Sequence, residues 1–220
     1  MEFRRLTRNR SIQRPSMDTD DLEPGELALK GEFDLADSTI DEGDQSGVSG
    51  DGRIRRVHAT AVNLSETVLG PLELDDTALI DADLSNAAWR RVQARRVELL
   101  QCRGIGWQLE LMQAQDVFVE DSRLDYAVIR IEKVKGHLVL AGCSLREAVI
   151  TGDLSNVLFT DCDLTGAEFQ ATKAGGCDLR GSELTGVRGL LTLRGATLDA
   201  SQAGSAAAAI VTDAGLLLGD

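Results

Sequence analysis

Along the middle of this chain a large apolar residue returns every fifth position, a spacing that belongs neither to the 3.6-residue helix nor to the two-residue strand. It is plainest in residues 153–169, where Leu154, Phe159, Leu164 and Phe169 each follow a small residue by two positions: Gly152, Val157, Cys162 and Ala167. Traced in both directions, the phase runs through 64, 69, 74 and so on to 134, then 140, 145 and 150, then 154 to 184 in fives. Of these 25 positions, 21 hold Leu, Ile, Val, Phe or Trp, so the period belongs to most of the chain and outranks local propensity. The exceptions are Ala94, Gly104, Ala114 and Ala174.

The residue between the small and the large one is often Asp or Asn, as at Asn63, Asp83, Asp153, Asp163 and Asp178. This pattern resembles the pentapeptide-repeat family, whose signature is Ala-(Asp/Asn)-Leu followed by two variable positions, over roughly residues 54–203. The resemblance implies an all-β fold: a right-handed quadrilateral parallel β-helix of about seven coils, each unit forming one side. Such a coil holds one large and one small side chain per side, so the two inward positions must differ in size. Coils stacked at strand spacing give a rod about 35 Å long, whose ends need caps.

Written on four sides, one wall carries Leu64, Leu84, Gly104, Leu124, Leu145, Leu164 and Leu184. Gly104 looks like a gap there, which Trp107 on the next side is expected to fill; Trp89 is balanced by Ala87 and Ala94 in the same way. The phase slips twice, with one residue extra between 134 and 140 and one missing between 150 and 154. Strict register would bury Glu132, so a bulge that turns Ile131 inward is expected, with His137 in a surface loop.

The flanks divide by composition. Residues 1–25 carry Arg4, Arg5, Arg8, Arg10 and Arg14 and read as a disordered tail, in which Met17 is a second candidate start. Residues 26–40 read as a strand segment that can dock on the solenoid, 41–52 as a flexible linker, 53–203 as the repeats and 204–220 as a capping helix and tail.

The net charge is −13, but it is unevenly spread: +4 over residues 1–17, −11 over 18–52 and −6 over 53–220. The acidity therefore lies mostly ahead of the repeats. Cys102, Cys143, Cys162 and Cys177 match no zinc spacing and read as free buried thiols, which makes a reducing cytoplasm the expected location. No apolar run reaches the length of a membrane span, and no secretory leader is recognised.

No catalytic or metal-binding constellation is present in the sequence, and no cofactor is expected. Two outer surfaces stand out instead. Ala78, Ile80, Leu100, Phe118, Val139 and Leu158 form an apolar stripe that must be covered, by the 27–35 strand in cis or by a partner. A neighbouring corner carries Asp81, Asp83, Asp121, Asp161, Asp163 and Glu183, interrupted by Gln101, Arg103 and Arg123. The family resemblance implies a non-catalytic protein-binding rod, with DNA gyrase the candidate partner because some members mimic DNA with acidic surfaces. Direct nucleic-acid binding is not expected. The alternatives are a self-associating scaffold, dimerising through the apolar side or the C-terminal segment, and an accessory module working through its tails.

Overall fold

Five-residue sides require a sharp corner after each large residue, and the backbone makes it with a left-handed conformation. In the computed structural model, which describes residues 2–7 and 10–216, Asp76, Asp81, Asn86, Arg91, Arg96 and Gln101 all have φ between +48° and +57°. They recur every fifth residue, each two positions after an inward one, and Gly106 continues the series. Asp, Asn and Gly are the residues that tolerate this region best, which is one physical reason for the polar half of the repeat. The other lies one residue before the large position. Asn63, Asp83, Asp153 and Asp163 each accept the backbone N–H two residues on, at 2.9–3.1 Å, and so brace the turn.

The strands in chain order are β1 (Phe3–Thr7), β2 (Arg10–Gln13), β3 (Glu23–Pro24), β4 (Gly31–Ile40), β5 (Gly43–Asp44), β6 (Ser49–Thr60), β7 (Val62–Asn63), β8 (Val68–Ile80), β9 (Ala88–Leu100) and β10 (Gln108–Glu120). They continue with β11 (Val128–Ile131), β12 (Val134–Ala141), β13 (Val149–Asp153), β14 (Val157–Thr160) and β15 (Glu168–Lys173). Apart from β1 and β2, every pairing is parallel between successive coils. One corner ladder runs Asp44, Asn63, Asp83, Arg103, Arg123, Ser144, Asp163 and Glu183, so the chain advances about 20 residues per turn of a parallel β-solenoid of about seven turns.

The inside is filled as the size alternation requires. Leu64, Leu84, Leu124, Leu145, Leu164 and Leu184 are at most 1% exposed, and they share one continuous core with the inward residues of the other sides. Gly104 and Trp107 compensate each other: the Trp107 ring lies beside Gly104 and meets Trp89 edge to face at 5.3 Å. The Trp89 indole donates to Thr67 Oγ1 at 3.0 Å. Ile131 is buried and Glu132 exposed, while the extra residue at Gly136 and His137 bulges opposite Asp116. The same inward shift occurs one coil earlier, where Leu111 is buried and Met112, expected at a small inward position, is 41% exposed.

The N-terminal third differs from the sequence expectation. The repeats begin ahead of residue 53: β4 pairs in register with β6, and Leu29 and Ile40 are buried in the solenoid core. Residues 41–52, expected as a linker, are the corner and first side of the next coil. Their Asp, Ser and Gly are corner residues, with Asp44 accepting the Ser46 N–H at 2.9 Å and Gly47 at φ +67°. Gly50 and Gly52 stand in register with Leu69 and Leu72, where inward side chains normally reveal the period. A Cβ at Gly50 would collide with the Leu29 carbonyl oxygen, so the chain approaches its neighbour too closely for any side chain.

Residues 2–7 and 10–13, expected as part of a disordered tail, form an antiparallel hairpin in which Arg4 lies opposite Ile12 and Phe3 opposite Gln13. Arg8, one of the five arginines read in that tail, lies outside the described residues. At the other end, α1 (Ala203–Asp213) buries Ala206 and Ala209 against the last coil. The Gln202 amide donates to the carbonyls of Leu179 and Ser182 at 2.7 and 2.6 Å, and Asp213 accepts the N–H groups of Gly189 and Leu191. These bonds satisfy backbone groups that a next coil would otherwise pair. Leu217 and Leu218, read as an apolar tail, lie outside the described residues.

Candidate binding surfaces

The apolar stripe and its cover form the first surface. Parallel register stacks Ala78, Glu98, Phe118, Val139 and Leu158 in one outward column, continued by Asp178; Ile80, Leu100, Glu120 and Ala141 form the column beside it. Phe118, Val139 and Leu158 are 3%, 1% and 4% exposed because the β1–β2 hairpin lies over them. Ile12 of β2 is its buried anchor and Leu6 packs beside it, in a cluster separate from the solenoid core. The occupant of this face is thus the segment read as disordered rather than the 27–35 strand, which is used up in building the first coil.

The hairpin is held by arginines. Arg14 forks onto Glu98 through Nε and Nη2 at 2.9 and 3.1 Å; Arg4 reaches Glu120 at 2.9 Å while its guanidinium carbon sits 3.9 Å from the centre of the Phe118 ring; Arg10 reaches Asp178 at 3.1 Å. The Ser16 N–H donates to Asp76 at 2.6 Å. The bond to Glu98 raises Arg14 above its ordinary range, against the lowering effect of burial. Burial pushes Asp76 up, but the bond from Arg96 and the Ser16 N–H more than offset it, and its carboxyl ends below the usual range. Asp178 is also lowered, first by its bond from Arg180. Glu98 and Asp178 interrupt the apolar column, and neither features in a reading that looks only for exposed apolar residues. The signal for them was the alternation of Arg10, Ile12 and Arg14, which is a strand pattern with charges on the buried face.

The acidic corner is the second surface. Asp81, Asp121 and Asp161 are its left-handed corner residues, at φ 54°, 49° and 53°, and all three are exposed. Asp83, Asp163 and Glu183 sit on the adjacent ladder, where each braces a turn; Glu183 accepts both the N–H and the hydroxyl of Thr185. Arg103 and Arg123 lie between them in the same ladder, and Arg146 pairs with Asp163 at 3.2 Å. The acids are therefore brought together as two groups separated by a basic stretch. Arg95 and Arg96, part of a basic cluster elsewhere on the rod, pair with Asp75 and Asp76 one coil below.

All four cysteines are free and buried. Burial pushes the Cys102 thiol up to about 11 and Cys177 up to about 12, and Cys162 is raised by its hydrogen bond with Cys143 and by burial, so these thiols stay protonated at neutral pH. Among the described residues no group of His, Cys, Asp and Glu could hold a metal ion, and no helix is long and apolar enough to cross a membrane.

The family model for pentapeptide repeats, in eight copies, matches residues 153–188. Residues 153–188 are thus pentapeptide repeats, set in a solenoid whose neighbouring coils share their five-residue sides. Among solved structures it is similar to a trypsin-treated form of QnrB1, described as a plasmid-mediated fluoroquinolone resistance protein, at 19% identity over 84% of this chain and 96% of that one, with a TM-score of 0.39. It is also similar to HetL, a pentapeptide repeat protein involved in heterocyst differentiation regulation from the cyanobacterium Nostoc sp. strain PCC 7120, at 18% identity over 78% and 89%, with a TM-score of 0.33. No curated protein matches the chain.

Proposed function

We propose that this chain is a non-catalytic rod that binds another protein, acting in the cytoplasm, and that DNA gyrase is the partner to test first. The supporting observation is the corner on which Asp81, Asp83, Asp121, Asp161, Asp163 and Glu183 are fixed to a stacked backbone, so that carboxylates stand on two neighbouring columns of a stiff rod, interrupted by Arg103 and Arg123. A surface of this kind suits the basic groove of a DNA-binding enzyme, because regularly placed negative charge is what such a groove selects. The resemblance to pentapeptide-repeat proteins that act on gyrase supports the same partner.

Purified protein is added to gyrase supercoiling reactions with and without a fluoroquinolone. Inhibition of supercoiling or protection from the drug, reduced by Asp81→Lys and Asp163→Lys, is expected; no effect at tens of micromolar removes gyrase as the partner. The alternative, a self-associating scaffold, draws on Leu191, Ile210 and Leu216, which are 47%, 40% and 63% exposed at the C-terminal end. Light scattering separates the two: a concentration-independent monomer rules out the scaffold.

A further inference from the structure

The covered face has chemistry that the rod itself does not use. Glu98 is 3% exposed, and its carboxylate oxygens are met by Arg14, with Arg4 at 3.6 Å. A carboxylate placed in an apolar column and met, among the described residues, by guanidinium groups from outside the solenoid is a receptor group for an arginine. Phe118 presents its ring face to the Arg4 guanidinium, which also reaches Glu120, and Asp178 receives Arg10.

The segment on that face is built as a separable piece. β1 and β2 form their own two-stranded sheet, outside the eleven-stranded one. Ile12 is the hairpin's one fully buried side chain among the described residues, and the cluster it joins is distinct from the core. The solenoid starts without it, since β3 already pairs with β4. Charge complementarity runs the same way: residues 1–17 carry +4, and the rest of the chain −17.

We propose that the face formed by Glu98, Phe118, Glu120, Val139, Leu158 and Asp178 is a docking site for an arginine-bearing extended segment of a partner protein, and that the β1–β2 hairpin with Arg14 and Ser16 occupies it in cis as an exchangeable strap. The ligand chemistry is that of the strap: arginines at alternate positions on either side of one aliphatic anchor, as in Arg10, Ile12 and Arg14. Two strands presented this way place apolar and guanidinium groups on one side, and Phe3 on the other side is exposed. This deepens the protein-binding reading by naming a face and a partner chemistry. It does not depend on gyrase, so failure of the supercoiling assay leaves it standing.

The test uses the full chain with Ile12→Asp and Arg14→Glu, which release the strap, beside the wild type. Each is titrated by fluorescence anisotropy with a labelled synthetic peptide of residues 2–16. The released variant is expected to bind the peptide at least about tenfold more tightly than the wild type, because the cis occupant competes at high effective concentration. Binding is expected to fall by about tenfold or more when Glu98→Gln is added, since the arginine then loses its buried partner, and to weaken as salt is raised, since the strap is basic and the body acidic. The proposal is overturned if the released variant keeps its β-sheet circular dichroism yet binds no better than the wild type, or if a peptide with its arginines replaced by glutamine binds equally well. Should the double variant lose its β signature, the single Arg14→Gln variant is read by the same criterion. Wild-type dimers formed by exchanged hairpins would overturn the partner assignment in favour of a second copy of this chain.

Discussion

Individual side chains in this molecule are chosen by what the adjacent coil leaves open. Gly104 removes a large residue from one wall, and Trp107, 2% exposed, restores the volume from the next side of the same coil. Replacing Trp107 with Ala should cost about 3–5 kcal/mol, read as a drop in the urea midpoint, because no neighbour can close the space. Ile12 gives the opposite result. Its burial contributes about 2–3 kcal/mol, but only to docking of the hairpin. Ile12→Ala should therefore raise hydrophobic-dye binding and speed amide exchange in β2 while leaving exchange in β8 to β10 unchanged; slowed or unaltered exchange in β2 would contradict the docking role.

At the scale of elements, the caps and the strap do what the repeats cannot do for themselves. Gln202 closes the last coil by donating to Leu179 and Ser182, so Gln202→Leu strands two carbonyls and should cost about 1–3 kcal/mol for each, seen in urea unfolding. The strap should open in acid. The folded-state carboxyl of Asp76, which accepts the Ser16 N–H, lies below its ordinary range, so the stability it lends is present above about pH 4 and is lost as pH falls through the lowered value. Dye binding that rises below about pH 4, before the far-ultraviolet dichroism changes, is the expected outcome.

The sequence shows the repeats wherever apolar residues mark the inward positions, because a five-residue period has no rival explanation. It hides the coil that β6 begins, where Gly50 and Gly52 occupy inward positions and leave nothing to count. The hairpin escapes for a different reason: its buried face is built from Arg4, Arg10 and Arg14 around a few aliphatics, and that composition reads as solvated chain until the facing acids are known. Those acids, Glu98 and Asp178, become visible only when stacking sets them beside Phe118, Val139 and Leu158. The corner carboxylates were legible as a line, but not their second task of bracing turns.

The whole molecule is a stacked rod with a basic strap on an acidic body. Each coil pairs with the ones above and below it, so the corner ladder from Asp83 to Glu183 spans five steps, or about 24 Å at strand spacing. Both proposed surfaces depend on this geometry, since a face exists only if residues 20 apart in sequence are neighbours. The most direct measurement is a series of spin-label distances from position 83 to positions 103, 123, 163 and 183, each on an outward corner. The stacked rod predicts distances that lengthen in that order, by about 4.8 Å for every coil crossed. Distances that do not rise in that order, or that place 83 and 183 as near to each other as 83 and 103, would contradict it.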